Sequence, residues 1–130
     1  MRIAEFVDSV PTTLGTLSGV GPIATAIILA HTKDVGRFPT ADHYASYNGS
    51  APIDASSGPR KRHRLNPRGN RQLNHALHII AMSQLSHPGS GRDYYERKLA
   101  EGKTHKEALR SLKRQISDVV YRQLRIDAGR

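Results

Sequence analysis

The last part of the chain constrains the fold most. Thr104-His105-Lys106-Glu107 has the spacing of a capping box. In that motif the threonine side chain accepts from the backbone N–H three residues on, and the glutamate reaches back to the threonine's own N–H. Behind it, Leu109, Leu112, Ile116, Val119, Val120 and Leu124 recur at helical intervals. Those side chains share one face only on an α-helix, so the spacing predicts a long amphipathic helix over about 104–124. A face that wide requires other apolar helices to cover it.

The rest of the chain supplies them. Ile3, Phe6, Val7 and Val10 have helical spacing, closed by Pro11. Thr12 or Thr13 is placed to cap a short helix with Leu14 and Leu17. Pro22 stands at the favoured first position of the next helix, which Ile23, Ile27, Ile28 and Ala30 carry to about His31. Phe38-Pro39-Thr40 leads into another, with Thr40 as N-cap and Tyr44, Ala45 and Tyr47 following. Helicity resumes near Arg71, where Leu73, Leu77, Ile80 and Gln84 share a face beside Ala76 and Ala81, and His87-Pro88-Gly89 stops it. A shorter helix holds Tyr94, Tyr95 and Leu99 and ends at Gly102. The expected fold is therefore all-α.

Residues 48–70 break the pattern with Asn48, Gly49, Ser50, Pro52, Ser57, Gly58, Pro59, Pro67 and Gly69. So long a loop in a small domain is usually functional or disordered. It has room for a short β-hairpin turning near Ser57-Gly58.

The chain has 130 residues, which suits one domain with a modest core. Lys and Arg number 20 against 11 Asp and Glu, a formal net charge of +9. Such a domain attracts polyanions, nucleic acid first and an anionic membrane surface second. There is no cysteine, which excludes disulfides and thiolate metal sites. No apolar run approaches the roughly 20 residues of a membrane helix, and the N-terminus lacks the apolar core of a signal peptide. These features argue for a soluble cytoplasmic protein with no membrane partner.

Two features point to nucleic acid. Leu17-Ser18-Gly19-Val20-Gly21-Pro22 is a glycine-rich turn opening a helix. Gly19, Val20 and Gly21 are candidates to hold a phosphate, because a helix N-terminus offers unpaired N–H groups and a positive dipole end. Such a contact reads no base. The pattern resembles a helix-hairpin-helix motif over about 12–32, with Thr25 where that motif usually has a smaller residue. Second, Arg60, Lys61, Arg62, Arg64, Arg68 and Arg71 crowd one stretch with Asn70 among them. Such a cluster neutralises phosphates and makes binding fall steeply with salt.

An ordered set then carries a family resemblance: Leu17-Ser18-Gly19-Val20-Gly21-Pro22, Val35-Gly36-Arg37-Phe38, Tyr44-Ala45-Ser46-Tyr47-Asn48-Gly49, Ala51-Pro52, Ser57-Gly58, Gly69-Asn70 and Gly102-Lys103-Thr104-His105-Lys106. Together they resemble the C-terminal domain of the Piv/MooV-type insertion-sequence transposases and DNA invertases, the bridge-RNA-guided class. The resemblance runs from about residue 12 to 124. It implies that residues 1–130 form a single transposase C-terminal domain, with the serine and basic loop at about 48–70 and the C-terminal helices at about 71–125. It also implies that Ser57 is the nucleophile, forming a transient phosphoserine link with DNA that stores the bond energy for strand exchange. Ser56 is its rival. Arg60, Lys61, Arg62, Arg64 and Arg68 would neutralise charge growing on the phosphoryl oxygens.

A serine hydroxyl needs an activator. Asp54 and His63 are nearby, but neither belongs to a recognisable triad. The resemblance assigns that work to an N-terminal ribonuclease-H-like domain whose carboxylates bind Mg²⁺. This chain holds no such set, so no cofactor is expected in it, and it is expected to be inactive alone. Guide RNA, DNA, the N-terminal domain and further copies of the chain are the implied partners. The alternative is a non-catalytic nucleic-acid-binding or oligomerisation module, a truncated remnant. His75 and His78 lack a third metal ligand, Asp93 and Glu96 suit surface ion pairs, and the basic face of the last helix suits nucleic acid or solvent equally.

Overall fold

The computed structural model describes Ile3, residues 12–51 and residues 69–129. Among them are α1 (Pro22–Thr32), α2 (Ala41–Asn48), α3 (Arg71–Leu85), α4 (Ser90–Ala100) and α5 (His105–Asp127), with 3-10 turns at Leu14–Thr16 and Val35–Arg37. No strand occurs among the described residues, so the domain is all-α as its periodicities require. The short strand pair considered for the long loop falls outside the described residues.

Thr40 and Thr104 cap their helices as expected, and Asn70, expected only as a nucleic-acid contact, caps a third. Thr40 Oγ1 accepts from the His43 N–H at 3.2 Å, and Asn70 Oδ1 accepts from the Leu73 N–H at 2.9 Å. In the capping box, Thr104 Oγ1 accepts from the Glu107 N–H at 3.1 Å while Glu107 Oε1 accepts from the Thr104 N–H at 2.9 Å. These bonds satisfy donors that a helix start leaves unpaired.

Three expectations need correction. The short helix ascribed to Leu14 and Leu17 is a single 3-10 turn, and Leu17 is already extended. The chain must reverse between Leu17 and Gly21, which leaves no length for an α-turn. The last helix continues to Asp127, because no glycine or proline interrupts it before Gly129, whose φ is +77°. Its buried side is also rotated: Ala108, Ser117 and Tyr121 are buried, whereas Val119 is 38% exposed.

α5 is the axis of the core. It packs on α2, α3 and α4, while α1 lies along α3. Leu14, Ile28, Leu73, Leu77, Ile80, Leu112 and Val120 are fully buried at the centre. Phe38 and Tyr44 meet edge to face with centroids 5.1 Å apart, and Tyr121 donates to the Phe38 carbonyl at 2.5 Å. Tyr44 shares a 2.7 Å hydrogen bond with Thr32, and burial pushes its phenol up to about 12. At the far end of α5, Asp127 accepts from the Thr13 N–H at 2.8 Å and from Thr13 Oγ1 at 2.6 Å. The first described turn is thereby tied to the last helix.

Candidate nucleic-acid interface

The glycine turn is built by close approach. Gly19 has φ +80°, a conformation that costs other residues. A Cβ there would stand 2.9 Å from Gln84 Cγ and 3.1 Å from the Ile80 carbonyl oxygen. Gln84 Nε2 donates to the Ser18 carbonyl at 2.8 Å, so α3 holds the turn from behind. Val20 is buried beneath it. Gly21 differs: a Cβ there would meet nothing within 4 Å, and its φ of −100° suits any residue. It is the N-cap of α1, followed by Pro22, and no side chain caps that start. Gly21, Pro22 and Ile23 are all exposed. The turn thus presents an open helix start to solvent, with no acidic residue in its first turn. Thr25, at the position singled out in the motif, is buried, and its hydroxyl has no hydrogen-bond partner.

The other candidate region is approached from its root. Ser57, its rival Ser56, Asp54, His63 and the cations Arg60, Lys61, Arg62, Arg64 and Arg68 lie outside the described residues. The residues on either side of that segment are described, and they meet. The Asn70 N–H donates to the Tyr47 carbonyl at 2.6 Å, joining the start of α3 to the end of α2. Gly49, with φ +81°, ends α2, and the Ser50 N–H returns to the Ala45 carbonyl at 2.9 Å. Beneath lies a polar network that sequence reasoning missed. Buried Asn48 accepts from the Ser50 N–H at 3.0 Å and from its hydroxyl at 2.7 Å, and donates to Ser117 at 2.9 Å. Asn74 donates to the Asn48 carbonyl at 3.0 Å and accepts from Lys113 Nζ at 3.0 Å. Asn48 looked like one more loop residue; nothing local distinguishes it, because its partners are far along the chain.

Asn70 and Arg71, both candidates for phosphate contact, have different surroundings. Besides its cap bond, Asn70 donates to Tyr47 Oη at 3.3 Å and pairs with His31 Nδ1 at 3.2 Å. Its amide therefore organises the root. Arg71 is exposed and points a cation outward beside it. Arg37 lies over the Tyr47 ring at 5.1 Å, and hydrogen bonding to Arg37 and then to Asn70 lowers the Tyr47 phenol's pKa. Nearby on α3 and α5, burial lowers the Lys113 pKa, and burial followed by Lys113 and His75 lowers that of His78.

Arg92 pairs with Glu96 at 3.7 Å, and Tyr94 and Tyr95 are half-buried against the core. Among the described residues no three His, Asp or Glu side chains converge. No helix among the described residues is long and apolar enough to cross a membrane.

Comparison with known proteins adds to this geometry. The model of the "Transposase IS116/IS110/IS902 family" matches residues 12–96, well over half of the chain. The chain is 42% identical over 113 residues to the uncharacterized 43.6 kDa protein of insertion element IS110 from Streptomyces coelicolor, covering 86% of this chain and 28% of that protein. It is 36% identical over 123 residues to the 44.8 kDa protein of insertion element IS116 from Streptomyces clavuligerus, covering 94% and 29%. It is 35% identical over 126 residues to the 42 kDa protein of insertion element IS900 from Mycobacterium paratuberculosis, covering 95% and 30%. It thus spans under a third of the length of these relatives. The matched region contains the glycine turn, the segment that bears Ser57 and the root that closes it, and on that basis the chain belongs to the IS116/IS110/IS902 family of insertion-sequence transposases.

Proposed function

We propose that this chain is the nucleic-acid-handling C-terminal part of a transposase of the Piv/MooV-type, bridge-RNA-guided class. It grips backbone phosphates at the Gly19–Gly21 turn and along the basic segment from Arg60 to Arg71, and it carries Ser57 as the nucleophile of strand exchange. The observation that carries the reading is the turn itself. α3 fixes Gly19 from behind while Gly21 and Pro22 leave the α1 start open, on a chain of net charge +9.

In the proposed chemistry, Ser57 Oγ forms a bond to a DNA phosphorus as one P–O ester bond breaks. The serine proton passes to a base, and the departing oxygen takes up a proton. The phosphoester stays at the same level of bond energy, so the reverse attack by another strand's hydroxyl reseals DNA without a nucleotide triphosphate. Activation of Ser57 belongs to the Mg²⁺-binding ribonuclease-H-like half, and guide RNA and further copies of the chain complete the assembly. The setting proposed for this work is the cytoplasm.

The test is binding of duplex DNA, branched DNA and structured RNA across a salt series, for the parent and for Gly21→Ala. Gly21 is chosen because its Cβ has open space and a permissive φ, so the fold is untouched while the phosphate approach is crowded. Tight binding with a steep salt slope, weakened in Gly21→Ala, is expected. Absent or salt-insensitive binding would leave a non-catalytic interaction module. Ser57→Ala in a full-length relative-sized protein should keep binding and lose strand exchange. Surviving exchange would pass the role to Ser56 or elsewhere.

A further inference from the structure

Two concavities border α4 and α5, and they share a wall. One, of about 470 Å³, opens between the glycine turn, α3, α4 and α5, and is floored by Val20, Ile80, Leu112, Ile116 and Val119. The other, of about 300 Å³, is polar and lies between α4, α5 and the loop root, with Ser50, Lys103, Arg110 and Ser111 on its lining. Tyr94 and Gln115 line both. Together they make a trough divided at Tyr94, with Ser18 of the glycine turn lining one end and Ser50 of the root the other.

Its charges are uneven. In the polar end, Glu107 is engaged by the Thr104 N–H at 2.9 Å, and Arg114 is held by Asp42 at 2.5 Å and Asp118 at 2.9 Å. Lys103 and Arg110 are exposed and form no salt bridge within 4 Å among the described residues, though both lie within electrostatic reach of Glu107. In the apolar end, Asp93 and Arg97 stand at the rim. Between the two ends, Arg97 and Lys98 each lie 5.4 Å from the Tyr94 ring centroid.

We infer that this trough holds one unpaired nucleic-acid strand, with a base turned into the apolar end and the adjoining phosphate on Lys103 and Arg110. A duplex keeps its base faces stacked inside and offers an apolar cavity nothing. An unpaired nucleotide has an apolar face beside a charged group, and an aromatic side chain between an apolar floor and exposed cations matches that order. The inference rests on the nucleic-acid reading above and deepens it, because it assigns single-strand capture to the trough that borders the glycine turn.

The experiment is anisotropy titration of a short labelled oligothymidylate and of a duplex, using the full chain. Two variants are compared with the parent, each checked by circular dichroism. Lys103→Gln with Arg110→Gln removes two exposed cations, and should weaken strand binding and lower the log–log salt slope by about 0.7, for the one phosphate they hold. Val119→Lys adds a positive charge at a 38% exposed position on the apolar floor. It should weaken strand binding several-fold despite that charge and leave duplex binding unchanged. Undiminished strand binding in Val119→Lys, or an unchanged slope in the double variant, overturns the inference and leaves the trough to a protein segment. A parent that binds duplex but not the strand overturns this inference alone. A parent that binds no nucleic acid overturns it together with the reading it rests on.

Discussion

At the glycine turn, Gly19 rests so close to α3 that an added Cβ would crowd Gln84 Cγ and the Ile80 carbonyl, with Val20 packed beneath it. At the loop root, Asn48 is fully buried and is surrounded by Ser50, Asn74 and Ser117, each joined to it by a hydrogen bond. Shape holds the first region and polar complementarity holds the second. The difference matters because shape fails locally, when one atom is added. A buried network fails as a unit, since removing one member strands its partners without water. The turn is accordingly suited to presenting a rigid helix start, and the root to closing the two ends of a long segment at one point.

The largest effect should come from breaking the network. Asn48→Ala strands Ser50 and Ser117 in the interior and should cost about 3 kcal/mol, roughly 1–3 for each stranded group. Denaturant unfolding reads it directly, and a loss below about 1 kcal/mol would mean that the root is not held in this way. Gly19→Ala comes next, at about 1–3 kcal/mol for strained backbone and crowding against Ile80. Gly21→Ala should leave the melting temperature unchanged. If the two glycine variants melt alike, the division of labour between them is wrong.

Two smaller changes sharpen the contrast from outside both regions. Thr104→Ala removes the capping box of α5 and should cost about 1 kcal/mol, without altering salt-dependent binding at the turn. Thr25→Val removes a buried hydroxyl that has no partner and should stabilise by about 1 kcal/mol, since the apolar replacement has nearly the same shape. A destabilised Thr25→Val would reveal a polar contact behind the turn and make it resemble the root.

The smallest effect is a pH dependence beside the root. Burial, then Lys113 and His75, lower the folded-state pKa of His78 below 6.5, so the folded state binds fewer protons than the unfolded one. Stability should therefore hold above 6.5, begin to fall as pH drops through 6.5, and level off below the folded pKa. His78→Gln should flatten that decline in melts taken between neutral and mildly acid pH. An unaltered profile would place the titration elsewhere.

Much of this was legible from neighbouring residues alone. Thr40 and Thr104 announce two helix starts, because a cap bonds to N–H groups only two or three residues away, and Asn70 carries the same local signal, which sequence reasoning passed over. The 3-10 turn at Val35–Arg37 has the same kind of signal in Asp34, whose carboxylate accepts from the Gly36 N–H at 2.8 Å, yet it is too short for periodicity to reveal. The apolar repeats of α3 and α5 determine that both are helices and that each has a buried side. What they could not decide is which neighbours cover that side. Val119 belongs to the repeat yet lines an open trough, while Ser117 and Tyr121 lie inside, because α2 packs where Ser117 can meet Asn48 and where Tyr121 can reach the Phe38 carbonyl. Likewise, Gly-Val-Gly determines a tight turn before a helix. Only the approach of α3 decides that Gly19 serves the fold and Gly21 faces outward, since that distinction depends on an atom 3.1 Å away whose residue, Ile80, is remote in the chain.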